Sequence, residues 1–125
     1  MKKQNIQNSD YLKREKNFLS TITSEETFQV IIGNDGSNIR LLWQDEYYME
    51  AYLNTCETPI RLCKVDTVVF LKWMKESNVE TDYTIHPVFG QASPKLTPKE
   101  LSKKIIDQME SDGDFYDTLR ANNLL

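Results

Sequence analysis

The sequence predicts an α+β domain, a mostly antiparallel sheet of about four strands carrying three to four packed helices in the order α-β-β-α-β-α-β-α. Three observations lead there. Segments with apolar residues at helical spacing alternate with β-branched runs. The cluster Gly33-Asn34-Asp35-Gly36 separates two such runs, as a hairpin turn does. The stretch Thr97-Pro98-Lys99-Glu100 has a capping threonine, a proline at the first helical position and a glutamate three residues on. A chain of 125 residues with 39% apolar and 27% charged side chains can bury enough surface to fold without disulfides or metal. It is expected to form one domain over residues 1–110, with a short polar N-terminal extension, followed by an acidic tail over 111–125.

The first helix is predicted from Tyr11, Leu12, Phe18, Leu19 and Ile22, with Ser9 or Asp10 as its cap. Thr27 to Ile32 and Asn38 to Trp43 then form a strand pair about the Gly33–Gly36 turn. Asp45 caps a second helix through Tyr48, Met49, Tyr52 and Leu53. Ile60 to Val65 is a third strand, with Ile60, Leu62 and Lys64 on one side and Arg61, Cys63 and Val65 on the other. Asp66 caps a helix through Ser77 whose stripe is Phe70, Leu71 and Met74, widened by Val69 and Trp73. Tyr83 to Phe89 is a strand that Pro87 places at an edge or ends. The last helix starts at Thr97, buries Leu101, Ile105 and Met109 and stops at Gly113, with Phe115 and Leu119 adding a further turn.

Fifteen Lys and Arg stand against nineteen Asp and Glu, and residues 1–106 carry fourteen of each, so the excess lies wholly in 107–125. A neutral body with an acidic end does not attract phosphate backbones or anionic lipid, which need clustered Lys and Arg; neither nucleic acid nor membrane is an expected partner. The start Met1-Lys2-Lys3-Gln4-Asn5 lacks a signal-peptide core and no apolar run approaches membrane-spanning length, so a cytoplasmic location is expected. Cys56 and Cys63 are then reduced thiols. Their six-residue gap matches neither a redox CxxC nor a zinc knuckle.

Asn17-Phe18-Leu19, Leu42-Trp43-Gln44-Asp45-Glu46-Tyr47 at a strand-to-helix junction, Val65-Asp66 before Phe70-Leu71, and the Pro98-Lys99-Glu100-Leu101 helix occur in a recognisable order. Together they resemble the uncharacterised bacterial family of small proteins called domain of unknown function 2750, over about residues 11 to 106. The Tyr-rich second helix and the acidic tail depart from that family's pattern. The resemblance implies the α+β fold and leaves the chemistry open, because the family has no established activity. A second likeness, to the N-terminal half of the SseB-like secretion-associated proteins, rests on the rhythm of strand, Trp43-Gln44-Asp45-Glu46 and helix.

Few residues suggest bond-making chemistry. His86 is the single histidine, so a triad or zinc site would have to be built around one imidazole. Cys56, Cys63 and His86 could meet as ligands or as a Cys/His catalytic pair, against the simpler alternative of two buried thiols and an edge-strand histidine. The Gly33–Gly36 cluster fails as a phosphate loop, because Ile39-Arg40 follow where Lys and Ser or Thr are required. It fails as a calcium loop because Ile31 would occupy the first ligand position. No cofactor or metal is implied. Trp43 and Trp73 sit where core aromatics belong. Lys95, Lys99, Lys103 and Lys104 stand near the start of the last helix, a solvent face or an anion site.

The most informative surface is 44–60, where Asp45, Glu46, Glu50 and Glu57 appear with no Lys or Arg among them and are interleaved with Tyr47, Tyr48 and Tyr52. With Tyr48 and Tyr52 turned inward, Asp45, Glu46, Tyr47, Glu50 and Glu57 offer an acidic, tyrosine-bearing face to a basic protein partner, against the simpler alternative of a solvated acidic face over tyrosine packing. The expected function is a small non-catalytic protein-binding module, of the regulator or immunity type. The alternative from a different class is a small enzyme using Cys56 or Cys63 with His86.

Overall fold

The first helix, α1 (Tyr11–Ile22), leads into a hairpin of β1 (Gln29–Asn34) and β2 (Ile39–Trp43). The short α2 (Glu46–Leu53) follows, then β3 (Arg61–Asp66), α3 (Thr67–Glu76), β4 (Asp82–Ile85), α4 (Pro98–Asp112) and α5 (Tyr116–Ala121). A computed structural model describes residues 11–24, 26–76, 81–87, 94–112, 116–122 and 124. The cap expected at Ser9 or Asp10, the helix end at Ser77, the strand residues Val88 and Phe89, and Gly113 with Phe115 lie outside them.

The sheet order is β3-β1-β2-β4. β1 pairs antiparallel with β2, Ile31 opposite Trp43, and with β3, Val30 opposite Val65. β4 lies parallel to β2 with Leu42 beside Ile85, so the sheet is mixed and mostly antiparallel, as the α+β expectation had it. Pairing alternation divides its residues between two faces. Val30, Leu42, Val65, Tyr83 and Ile85 join the main core with α1, α3, α4 and α5. Ile31, Leu41 and Trp43 face the other way and are covered by Tyr48, with Met49, Tyr52 and Ile60 packed around them.

Strand β1 continues through Gly33 and Asn34, two residues into the turn expected there. The turn is tied by Gly36 N donating to Asn34 Oδ1 at 2.8 Å and Ser37 N to Asp35 Oδ1 at 2.9 Å, with Gly36 at φ 94°. Gly33 has a packing role: a Cβ there would stand 2.6 Å from Cζ3 of Trp43 and 3.0 Å from Cγ2 of Ile60. The indole lies across the glycine as a diagonal cross-strand neighbour. Gly33→Ala is therefore expected to destabilise the fold by about 2 kcal/mol through overpacking, measurable by urea unfolding.

Two helix stripes differ from expectation. Leu12 is 75% exposed, whereas Arg14 and Glu15 are buried beside Phe18, Leu19 and Ile22. Glu15 receives Lys104 of α4 at 2.8 Å, so the inward face of α1 includes a charge pair that apolar periodicity does not register. In α3, Thr67, Phe70, Leu71 and Met74 turn inward, while Val69 and Trp73 are 39% and 48% exposed. At 100° per residue, positions 69 and 73 fall on the side opposite 67, 71 and 74, so Trp73 is not a core aromatic. Asp66 caps this helix, accepting from Val68 N at 2.8 Å, and Thr67 Oγ1 donates to Ile22 O at 2.7 Å.

The capping box at α4 forms as predicted. Thr97 N donates to Glu100 Oε1 at 3.0 Å and Glu100 N to Thr97 Oγ1 at 3.1 Å, and these bonds hold the Glu100 carboxyl below its usual range. Thr97→Ala is expected to cost about 1 kcal/mol in the same unfolding assay. Leu101, Ile105 and Met109 are fully buried. Within the acidic stretch 111–125, Leu119 and Leu124 also belong to the main core.

Candidate docking surface

Helix α2 begins where β2 ends, because Asp45 adopts extended backbone at φ −156° and accepts from Tyr48 N at 3.1 Å. This cap fixes the rotation of the helix. Tyr48 is 1% exposed against Trp43 and Ile31, Met49 and Tyr52 are half-buried, and Glu46, Tyr47 and Glu50 face outward. The Tyr47 ring, 37% exposed, meets the Tyr48 ring edge-on at 5.3 Å. Burial, with the charge of Asp45, pushes the Tyr48 hydroxyl up to about 12, so it stays a neutral phenol.

Asp45, Glu46 and Tyr47 line one hollow of about 410 Å³ with Glu26, Gln44 and Lys64. Glu50 is exposed on the helix and Glu57 on the following loop, and neither belongs to that lining. One expectation is corrected. The acidic cluster is not uncompensated, because Lys64 reaches across from β3 to pair with Glu46 and holds its carboxyl below the usual range. Both partners are about half exposed, so the pair is weak and replaceable. Its signal in sequence is slight: alternation puts Lys64 on one face of its strand, but which face α2 covers depends on tertiary packing.

Gln44 forms the inner wall and was not anticipated. It is 6% exposed, and its Oε1 accepts from Asn17 Nδ2 at 2.7 Å and from His86 Nε2 at 2.8 Å. A carboxamide oxygen only accepts, so the proton of the neutral imidazole sits on Nε2. His86 is fully buried between Phe18, edge-on at 5.5 Å, and Tyr48 at 4.7 Å. Burial and the nearby Arg14 charge depress its pKa from 6.5 to about 3.

The Cys/His alternative finds no such assembly. Cys63 is exposed on β3 and His86 follows β4, on opposite edges of the sheet, three strand spacings or roughly 14 Å apart. Cys56, half-buried, follows the far end of α2 from Tyr48 and His86. The expectation of two buried thiols is thus corrected, since edge strand β3 leaves Cys63 uncovered. Among the described residues no group of three or more His, Cys, Asp or Glu could hold a metal ion, and no helix is long and apolar enough to cross a membrane.

The lysines of α4 are partly engaged, Lys103 with Asp107 at 3.0 Å and Lys104 with Glu15. Lys99 borders a second hollow, of about 440 Å³, floored by Leu71, Met74, Ile106 and Leu124. No family model, curated protein or solved structure matches this chain.

Proposed function

We propose that this protein is a small protein-binding module of the regulator or immunity type, which docks a basic partner on the face formed by Asp45, Glu46, Tyr47, Glu50 and Glu57. The observation that carries this reading is the convergence of Asp45, Glu46 and Tyr47 with Glu26 on one open hollow beside α2. Tyr47 offers a broad ring already held by Tyr48, so little entropy is lost when a partner covers it. The Glu46 carboxylate is held by one exposed lysine, which a partner's Lys or Arg can displace without leaving a buried charge unpaired. Glu50 and Glu57 extend the negative field beyond the hollow and would speed encounter with a basic surface.

The test is affinity capture followed by calorimetric titration of the captured protein, comparing wild type with the double variant Glu46→Lys, Glu50→Lys. Reversing two rim charges is expected to weaken binding about tenfold or more and to flatten its salt dependence. Equal affinity from two equally folded proteins would discard this face.

A further inference from the structure

The two edges of the sheet are finished differently. On β4, Tyr83 exchanges hydrogen bonds of 2.8 Å with Leu96 in both directions, so the approach to α4 covers that edge. On the other side β3 pairs with β1 alone among the described strands, and every residue of β3 except Val65 is exposed.

The register identifies the backbone groups that β3 turns outward. Thr67 N donates to Phe28 O at 3.2 Å, and those two residues continue the ladder that sets Asp66 opposite Gln29. The Phe28 amide turns instead to Ser24 O at 2.8 Å, but the single bond fixes the phase, since hydrogen-bonded pairs alternate along an antiparallel ladder. His86 N donating to Leu42 O gives the same phase from the other edge, because it leaves Leu41 and Trp43 to bond β1 at Gly33 and Ile31. Val65, Cys63 and Arg61 therefore bond to β1, while the N–H and C=O groups of Leu62, Lys64 and Asp66 point away from the sheet. The Lys64 carbonyl receives the Cys63 thiol at 3.8 Å, a weak donor that an amide would displace.

The geometry points to a second copy of this chain as the strand that completes this edge, in an antiparallel β3–β3 pair about a two-fold axis normal to the sheet. This inference stands independently of the docking face proposed above. Two-fold symmetry restricts the register, because only an axis passing beside a residue keeps matching faces of the two sheets together. Of these registers, those centred on Cys63 and on Lys64 keep most of the strand paired. Centring on Lys64 opposes two ammonium groups and is disfavoured. Centring on Cys63 sets each Leu62, 45% exposed, against the alkyl stem of Lys64 from the second copy. It also brings the two Cys63 residues together as a non-hydrogen-bonded pair, with Cα atoms about 4.5 Å apart, within disulfide reach. A lysine on an edge strand ordinarily discourages such pairing, but in the Cys63-centred register each Lys64 faces Leu62 instead of its own copy, and Glu46 of the same chain shares its charge.

The experiment is sedimentation of the full chain under reductant from micromolar to millimolar concentration, beside Leu62→Pro. Proline at 62 removes an outward N–H and leaves the β1 ladder intact. Wild type is expected to dimerise with concentration, and Leu62→Pro to raise the dissociation constant at least about tenfold. In parallel, a Cys56→Ser chain is treated with copper–phenanthroline, which takes the two electrons as two thiols lose their protons and one S–S bond forms. A dimer linked through Cys63 is expected, and this reading decides the matter should Leu62→Pro fail to fold. A wild-type chain that stays monomeric at millimolar concentration, or one whose Cys63 does not cross-link, overturns the inference.

Discussion

Replacing Leu119 and Leu124 together by alanine is expected to remove about 5 kcal/mol or more of stability, enough to leave much of the protein unfolded at room temperature. Leu119 is fully buried and Leu124 is 8% exposed, both within the main core, and Leu124 N donates to Leu119 O at 2.9 Å. Truncating each leucine loses its transfer free energy and leaves a void against α4 that its neighbours fill only in part, about 2 to 5 kcal/mol per site. The two changes belong to one small packing unit, so their sum need not be additive, but neither is a surface change. Thermal and urea unfolding followed by circular dichroism measures the loss. An unchanged midpoint in the double variant would instead mean that 116–124 is a detachable arm whose acidic charge acts apart from the fold. The single Leu119→Ala variant, expected to lose about 3 kcal/mol, keeps the comparison usable if the double variant does not fold.

The order of helices and strands was legible because its signals are local. Asp45, Asp66 and Thr97 each cap the helix they were expected to cap, and the hairpin about Asn34 to Gly36 uses side-chain bonds two residues long. The order β3-β1-β2-β4 and the parallel partnership of β2 with β4 were not legible, since they follow from α3 carrying the chain across the sheet rather than from any one segment. Periodicity identified the helices but not always their phase. In α1 the inward side includes Glu15, whose partner Lys104 lies 89 residues away, so the apolar pattern places Leu12 on a face it does not occupy. The candidate surface divides in the same manner. That Glu46, Tyr47 and Glu50 face outward was written in the spacing of Tyr48 and Tyr52, whereas the Glu46–Lys64 pair joins residues 18 apart across two elements. The hydrogen bonds that Gln44 receives behind the hollow from Asn17 and His86 span 27 and 42 residues, beyond what local pattern carries.

That network makes stability depend on pH in a direction set by His86. Its folded pKa of about 3 lies below the unfolded value of 6.5, so the native state resists a proton that the unfolded chain accepts. The contribution of the neutral imidazole is fully present above about pH 6.5 and is lost progressively as pH falls towards 3. Protonation would have to occur at Nδ1, which is buried without a hydrogen-bond partner, because Nε2 already donates to Gln44. The new charge would sit among Phe18 from α1 and Tyr48 from α2, with the Arg14 cation near and opposing it. Between pH 7 and pH 4.5 His86 alone is therefore expected to cost about 2 to 3 kcal/mol, from roughly 1.4 kcal/mol per unit over the range in which only the unfolded state titrates. His86 has φ of 44°, so asparagine, which tolerates that conformation, is the substitution that isolates the titration from backbone strain. The stability gap between wild type and His86→Asn should narrow by that amount on acidification, while the imidazole proton resonances of the native protein stay unchanged over the same range. Parallel losses in the two proteins would show that the acid sensitivity resides in the carboxylates instead, with Glu46 and Glu100, whose pKa values are lowered in the fold, as the first to examine.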